Sequence, residues 1–587
     1  MTAAPRRSRY RYLPPIPDAS TPRSATPASN SPWPLDVVAL CCFALCLRCF
    51  TFGRAHWISP DEFFYTLLAR DFADVWGGVT HYAEVQRLET LHASGFAWLL
   101  SLVFFLSGDQ TVETGRWLGL FLNALVAPAT YALTRASGYS RTHGLVAGFV
   151  LALLPAFWQD ADRVWLDHQA TLVVTLFWAC AIAGWRSSSA KWWALACALL
   201  FTVVLTKEYL LLFVALALPF GLIEPIRQRA WRFVGGASLT IVLAGGIAYW
   251  LVAGSGWLPS AKYARPWSAD AHVQRHERTA PDLQKLYYKN AAESDLPALA
   301  WTLALAGVAL AALQARRQRE RLAAVLTLVV FGGALTLFIS MMKQEFGARL
   351  LFPAYPILAL FVAVALLDVT IPLIPVLVPA LAWLCWQRSL RSFIEQTHGA
   401  AMFWQIIGAV SALFALAWLA TRRGNAPPAT AHALAVGATL ALLFVMSCGC
   451  VTRSLRHQAG LRQQIGAQAG LPELAQRLQR LIGRDAVTLS QNPRELTYFL
   501  DMRFAQLDAQ AWLDGTIADA RRYTTRAELT RRGVQWIVLV RSPDFALPNW
   551  SAIRDELRRL PHLAQNLEFA GGAQPSVAVF KVRAATP

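Results

Sequence analysis

Charge is scarce in this chain. Only 15% of its 587 residues are Asp, Glu, Lys or Arg, against about a quarter in an ordinary soluble domain. Meanwhile 55% are hydrophobic, in runs near the roughly 20 residues that span a bilayer. A single soluble core is excluded. Acidic residues are the scarcer sign, 36 against 54 basic, leaving a formal net charge of +18. That excess does not call for nucleic acid, because it falls mostly in short loops between apolar runs, the positive-inside pattern. The polar region from residue 453 onward has no cysteine at all. All nine (Cys41, Cys42, Cys46, Cys49, Cys180, Cys197, Cys385, Cys448 and Cys450) lie in apolar runs. No disulfide framework, CxxC pair or Cys/His metal spacing exists. The same region lacks a nucleophile elbow and a phosphate-binding glycine loop.

What is present is a polytopic α-helical membrane protein in three parts. Residues 1–34, with Arg6, Arg7, Arg9, Arg11 and Arg23, read as a disordered cytoplasmic tail, too long and polar for a cleaved signal peptide. Residues 35–452 hold the spans, about thirteen of them, and residues 453–587 form a small extracytoplasmic α/β domain. The first span is 35–52, running outward. The apolar segment 94–106 is short for a span, and making it one would invert every later basic loop. It is therefore placed on the outer membrane surface, within one long outer loop, 54–116. Spans follow at 117–133, 145–157, 170–184, 192–206, 209–223, 233–252, 297–313, 322–341, 350–367, 371–386, 401–420 and 431–451. Arg316, Arg317, Arg319 and Arg321 make the densest inner loop, while Arg388 and Arg391 dissent by falling outside. In the C-terminal domain, a helix is expected over 471–482 with Leu474, Leu478, Leu481 and Ile482 on one face, and strands over 486–490, 535–540 and 576–582.

Charges at membrane depth or at the membrane face are costly, which makes them functional candidates. The outer-side set is Asp61 and Glu62 after the first span; Asp160, Asp162, Arg163, Asp167 and His168 in the second outer loop; Lys207 and Glu208; and Lys343, Glu345 and Arg349. Plainer roles exist: Asp61 could cap a helix over 62–69, Lys207 could be a snorkelling lysine, and Asp167 and His168 could cap the next span. Their convergence on one face suits transfer from a phosphate-linked donor. A carboxylate takes the acceptor's proton, and cations hold the leaving phosphate.

Several segments carry a resemblance. Ser59-Pro60-Asp61-Glu62 resembles an acidic pair at the start of a first outer loop, and residues 91–108 a surface helix. Gly115-Arg116-Trp117 with Arg135, Arg163-Val164-Trp165-Leu166-Asp167, Leu205-Thr206-Lys207 and Arg349-Leu350-Leu351-Phe352-Pro353 follow in matching order. Together they resemble the C-type (GT-C) membrane glycosyltransferase superfamily over 35–367, in particular bacterial members related to protein O-mannosyltransferases and lipid A aminoarabinose transferases. The resemblance implies Asp61 as base or acceptor-positioning residue, with Glu62 beside it. It also implies an undecaprenyl-phosphate-linked sugar donor held by Lys207, Arg349 and Lys343. The acceptor would be a lipid, glycan or protein on the outer face of a bacterial inner membrane, with the C-terminal domain periplasmic. Asp160, Asp162, Arg163, Asp167, His168, Glu208 and Glu345 would support the site. The aminoarabinose transferases carry Glu-Lys-Pro-Pro before the surface helix; here Leu91-His92-Ala93-Ser94 stands instead, leaving His92, Arg87 or Lys207 to substitute for a phosphate-binding lysine. No cofactor is required by these residues, although acidic side chains in two outer loops could hold Mg²⁺ or Mn²⁺, as in oligosaccharyltransferases. Two rivals stay open: a transporter or flippase of lipid-linked sugars, and a non-catalytic envelope assembly protein.

Overall fold

The computed structural model describes residues 33–52, 60–78, 95–159, 161–207, 209–254, 298–340 and 348–368, scattered positions in 433–451, and much of 471–583. The tail 1–34 (all but its last two residues), the expected spans 371–386 and 401–420, and most of 431–451 lie outside them.

The bundle runs through helices α1 (Trp33–Cys49), α2 (Pro60–Trp76), α3 (Gly95–Ser107), α4 (Val112–Ala136), α5 (Arg141–Leu153), α6 (Leu166–Ser187), α7 (Ala190–Thr206), α8 (Leu210–Gly221), α9 (Trp231–Gly254), α10 (Ala298–Arg317) and α11 (Arg319–Ser340). A 3₁₀ segment, Ala348–Ala354, then leads into α12 (Tyr355–Asp368). Among the described residues, five stretches are long and apolar enough to cross a membrane: Val112–Ala136, Leu166–Ser187, Leu210–Arg227, Arg321–Ile339 and Arg349–Asp368. Shorter apolar helices accompany them.

Helix ends fall where local chemistry puts them. The expected span 145–157 becomes α5, which starts at Arg141 and stops at Leu153. Leu154, preceding Pro155, is extended at ψ 127°, because the proline ring disfavours a helical conformation in the residue before it. Thr111 caps α4 by accepting the Thr114 N–H at 3.4 Å. In the same turn, hydrogen bonds from Thr114 and then Thr111 hold the Asp109 carboxyl below the usual carboxylate range. Four buried threonines of α4 and α6 are satisfied within their own helix. Thr130, Thr134, Thr171 and Thr175 each donate to the carbonyl four residues back at 2.6–2.8 Å.

α4 forms the axis, packing along α1, α5 and α6; α12 lies between α5 and α10, and α8 against α11. The thirteen residues of α3 begin against the end of α7, since a Cβ on Gly95 would sit 2.6 Å from the Leu205 carbonyl oxygen. They end one turn before Thr111. Both ends of α3 therefore sit at the same end of the bundle, the end that carries Asp61.

The C-terminal domain is a mixed five-stranded sheet in the order β2-β1-β3-β5-β4, with β1 Thr488–Ser490, β2 Phe504–Ala505, β3 Trp536–Arg541, β4 Leu563–Phe569 and β5 Ser576–Val582. β1 pairs in parallel with β2 and β3, while β5 runs antiparallel to β3 and β4. Leu489, Ile537 and Phe580 are register partners across three strands, and all are fully buried beneath Ile553 and Leu557 of α15 (Trp550–Arg558). Helices α13 (Leu471–Ile482) and α14 (Arg526–Arg531) complete it. On α13, Leu478 and Ile482 are buried as expected, but Leu481 is 37% exposed. Residues i and i+4 share a helix face, whereas i+3 sits at its edge.

Candidate functional site

α2 opens on Pro60, suited to a first helical position where no N–H partner is needed. Asp61 is thus inside the first turn rather than the cap in front of it. Consecutive helical residues diverge by about 100°, and Asp61 and Glu62 accordingly take different neighbours.

Glu62 points into the bundle and is fully buried. Its Oε1 accepts from Arg116 Nε at 3.0 Å and from the Val164 N–H at 3.3 Å. Its Oε2 accepts from Arg163 Nη1 at 2.9 Å and Arg116 Nη2 at 3.4 Å. This carboxylate ties α2 to α4 and to the loop before α6, a holding role that leaves it no free face for proton transfer. Asp162, buried alongside, adds a second negative charge near Arg116. The loop can approach this closely because Gly119 of α4 has no side chain; a Cβ there would lie 2.4 Å from the Arg163 carbonyl oxygen.

Asp61 turns the other way. Its Oδ2 accepts from Arg349 Nη1 at 2.6 Å across 288 residues of sequence. Arg349 is the second residue of the 3₁₀ segment, and its guanidinium lies over the Trp165 ring, 4.7 Å from the centroid. Both side chains keep an open side, 30% exposed for Asp61 and 24% for Arg349. Deeper in, the Lys207 ammonium at the end of α7 meets the Asp167 carboxylate on α6, with both nearly fully buried. It also lies 5.1 Å from the Tyr209 ring. Lys207 is not a snorkelling lysine: its charge is inside the protein.

Two residues outside the expected set, Arg48 and Asn123, support this floor together with the expected His168. Arg48, Asn123 and His168 are all fully buried. Arg48 Nε donates to Asn123 Oδ1 at 2.5 Å. Arg48 has nothing to accept with, so the amide must present its oxygen to Arg48 and its NH₂ to His168 Nδ1, 3.0 Å away. His168 is then the neutral tautomer carrying its proton on Nε2. Its ring is nearly parallel to Phe352 (5.8 Å, 29°) and to Trp165 (6.5 Å, 22°), the ring that seats Arg349. An arginine and an asparagine inside apolar runs were signals available in the sequence. Asp160, Glu208, Lys343, Glu345, Arg87 and His92 lie outside the described residues.

Asp61, Asp167 and Glu62 therefore each face a cation of this chain, and among the described residues no three His, Cys, Asp or Glu converge. As a donor set for Mg²⁺ or Mn²⁺, the described carboxylates do not fit, each being already engaged. What they offer instead is one accessible carboxylate beside one accessible guanidinium, over an aromatic floor, with a buried ammonium beneath.

No protein-family model matches the chain, and no curated protein matches its sequence. Solved structures do match. The crystal structure of ArnT from Cupriavidus metallidurans bound to undecaprenyl phosphate has a TM-score of 0.60 at 17% identity, covering 94% of this chain and 98% of that one. The apo state of that protein gives 0.58 at 17% identity, with the same coverage of both chains. The apo oligosaccharyltransferase of Archaeoglobus fulgidus gives 0.50 at 10% identity, covering 86% of this chain and 69% of that one. The chain has the GT-C fold.

Proposed function

We propose that this GT-C-fold protein is a glycosyltransferase that moves a sugar from a polyprenyl-phosphate donor to an envelope acceptor, a lipid, glycan or protein, at the outer face of a bacterial inner membrane. The observation that carries the reading is the Asp61–Arg349 contact. Two residues singled out for opposite roles, base and phosphate holder, meet at an open edge of a fold shared with a structure bound to undecaprenyl phosphate. The acceptor hydroxyl or amine attacks the anomeric carbon as the bond from that carbon to the phosphate oxygen breaks. The acceptor's proton passes to Asp61, the electron pair leaves with the polyprenyl phosphate, and Arg349, with Lys207 beneath, balances the charge that develops there. A single displacement of this kind inverts the anomeric centre. The basic loops support an outer-side location for Asp61 and for the C-terminal domain.

The test uses purified protein in lipid nanodiscs, a panel of undecaprenyl-phosphate sugars and an envelope extract as acceptor, and follows release of undecaprenyl phosphate and labelled product. The parent protein forms product. Asp61→Asn lowers the rate by about 10²–10⁴ with an unchanged melting temperature, because Asn is tolerated in the first helical turn. Full activity in that variant removes Asp61 from the chemistry. Lipid movement without a new glycosidic bond in the parent makes the protein a transporter instead.

A further inference from the structure

We propose that Asp61 and the donor's phosphate compete for Arg349, so that donor binding itself frees the base. This rests on the reading above and adds an order to it: donor first, acceptor second. Among the described residues, three carboxylate–cation sets occupy this end of the bundle, and two of them are sealed. Glu62 with Arg116 and Arg163, and Asp167 with Lys207, have both partners nearly fully buried. Only Asp61 and Arg349 are open on both sides of the contact.

Arg349 Nη1 at 2.6 Å occupies Oδ2 of Asp61, and this contact holds the carboxylate turned toward the guanidinium rather than toward an acceptor. The donor's phosphodiester, entering from the open side, offers the guanidinium two non-bridging oxygens sharing one negative charge, against the single Asp61 oxygen now held, and a planar guanidinium suits such bidentate contacts. Arg349 need not move to make the exchange, because its seat on the Trp165 ring does not depend on Asp61. Trp165 is in turn stacked near His168, which Asn123 and Arg48 fix from the interior. The moving part is the Asp61 side chain at the first turn of α2, rotating from the guanidinium toward the acceptor. Before the donor arrives the base is engaged; afterwards it is released beside the bond to be made.

The exchange makes an unusual demand: removing the base should tighten binding of the lipid phosphate. Undecaprenyl phosphate without sugar is titrated against the detergent-solubilised full chain, with undecaprenol as the uncharged control. Asp61→Asn should bind up to about fivefold more tightly than the parent, the range expected for losing a half-exposed competing ion pair. Simple relief of repulsion between Asp61 and the phosphate would tighten binding too, and a double-mutant cycle separates the two. If Asp61 acts through Arg349, Asp61→Asn gains nothing in an Arg349→Gln background. If it merely repels, the gain persists there. Melting temperatures of all four proteins establish that each is folded, and Arg349→Lys replaces Arg349→Gln if the latter is not. Unchanged or weaker binding in Asp61→Asn overturns the proposal, as does a gain that survives loss of Arg349. The assay needs no turnover, so a parent that binds in this pattern but forms no product would defeat the transferase reading and leave the exchange standing.

Discussion

The two ends of the bundle carry similar numbers of ion pairs and bury them differently. At the end away from Asp61, Asp36 of α1 is buried, but its partner Arg141, at 2.7 Å, is 51% exposed. Glu224 and Arg227 repeat that division, and the His143–Asp368 pair is open on both sides. The two arginines reach out to solvent from the helix ends, a geometry that anchors helices and is worth little per pair. At the Asp61 end, the arginines and the lysine of the sealed sets are themselves buried. Desolvating both partners costs several kcal/mol per ion unless every hydrogen bond is made, and a fold that only needed anchoring could have used the cheaper arrangement seen at its other end. The sealed pairs make a rigid, charged floor, and the one open pair stands on it.

The largest expected effect that tests this contrast comes from Glu62→Gln. It leaves Arg116 and Arg163 buried without their shared carboxylate and should destabilise the protein by about 3–5 kcal/mol, seen as a large fall in melting temperature in detergent. A melting temperature equal to that of the parent would mean that the sealed set is not holding the fold.

Gly119→Ala comes next. Alanine favours a helix over glycine by up to about 1 kcal/mol, but its Cβ would meet the Arg163 carbonyl oxygen at 2.4 Å. Displacing that backbone should cost about 1–3 kcal/mol, so net destabilisation is expected despite the better helix former. Stabilisation by this variant would show that the loop has room to shift.

The smallest effect belongs to the other end. In Asp36→Asn, Arg141 can turn to water and Tyr131 can still donate to the amide oxygen from about the 3.0 Å it now spans; the loss should stay under about 1 kcal/mol. A fall in melting temperature as large as that of Glu62→Gln would erase the difference between the two ends.

Much of the helical framework was legible because apolar runs in this chain end at identifiable signals. α7 and α9 fall within two residues of the expected spans, and α13 and β5 match their expected limits. β4 escaped because Gln565, Asn566 and a register shift between Gln565 and Leu567 break its alternation. At the site, the rule that costly charges mark function picked out Asp61, Asp167, Lys207 and Arg349, which the fold joins into two ion pairs. It could not separate Asp61 from Glu62, adjacent residues of like charge, since only the three-dimensional packing decides which of them faces two guanidiniums. Nor did it single out Arg48 and Asn123, whose partners lie 75 and 45 residues away along the chain. Pairings at such separations leave no local spacing to read.

The Asp167–Lys207 contact also bears on how the protein is made. α6 and α7 are joined by only Ser188 and Ser189, with Ser188 in the left-handed conformation that turns the chain back. Asp167 begins one arm of this hairpin and Lys207 closes the other, forty residues later. During synthesis the acid therefore reaches the membrane before its partner exists, and because Asp167 lies in the first turn of α6 its cost there stays below the roughly 2.5–3.5 kcal/mol that insertion scales give a carboxylate at a helix centre. Emergence of α7 brings Lys207 to that carboxylate and neutralises it, so the hairpin is better matched to lipid than its first arm alone.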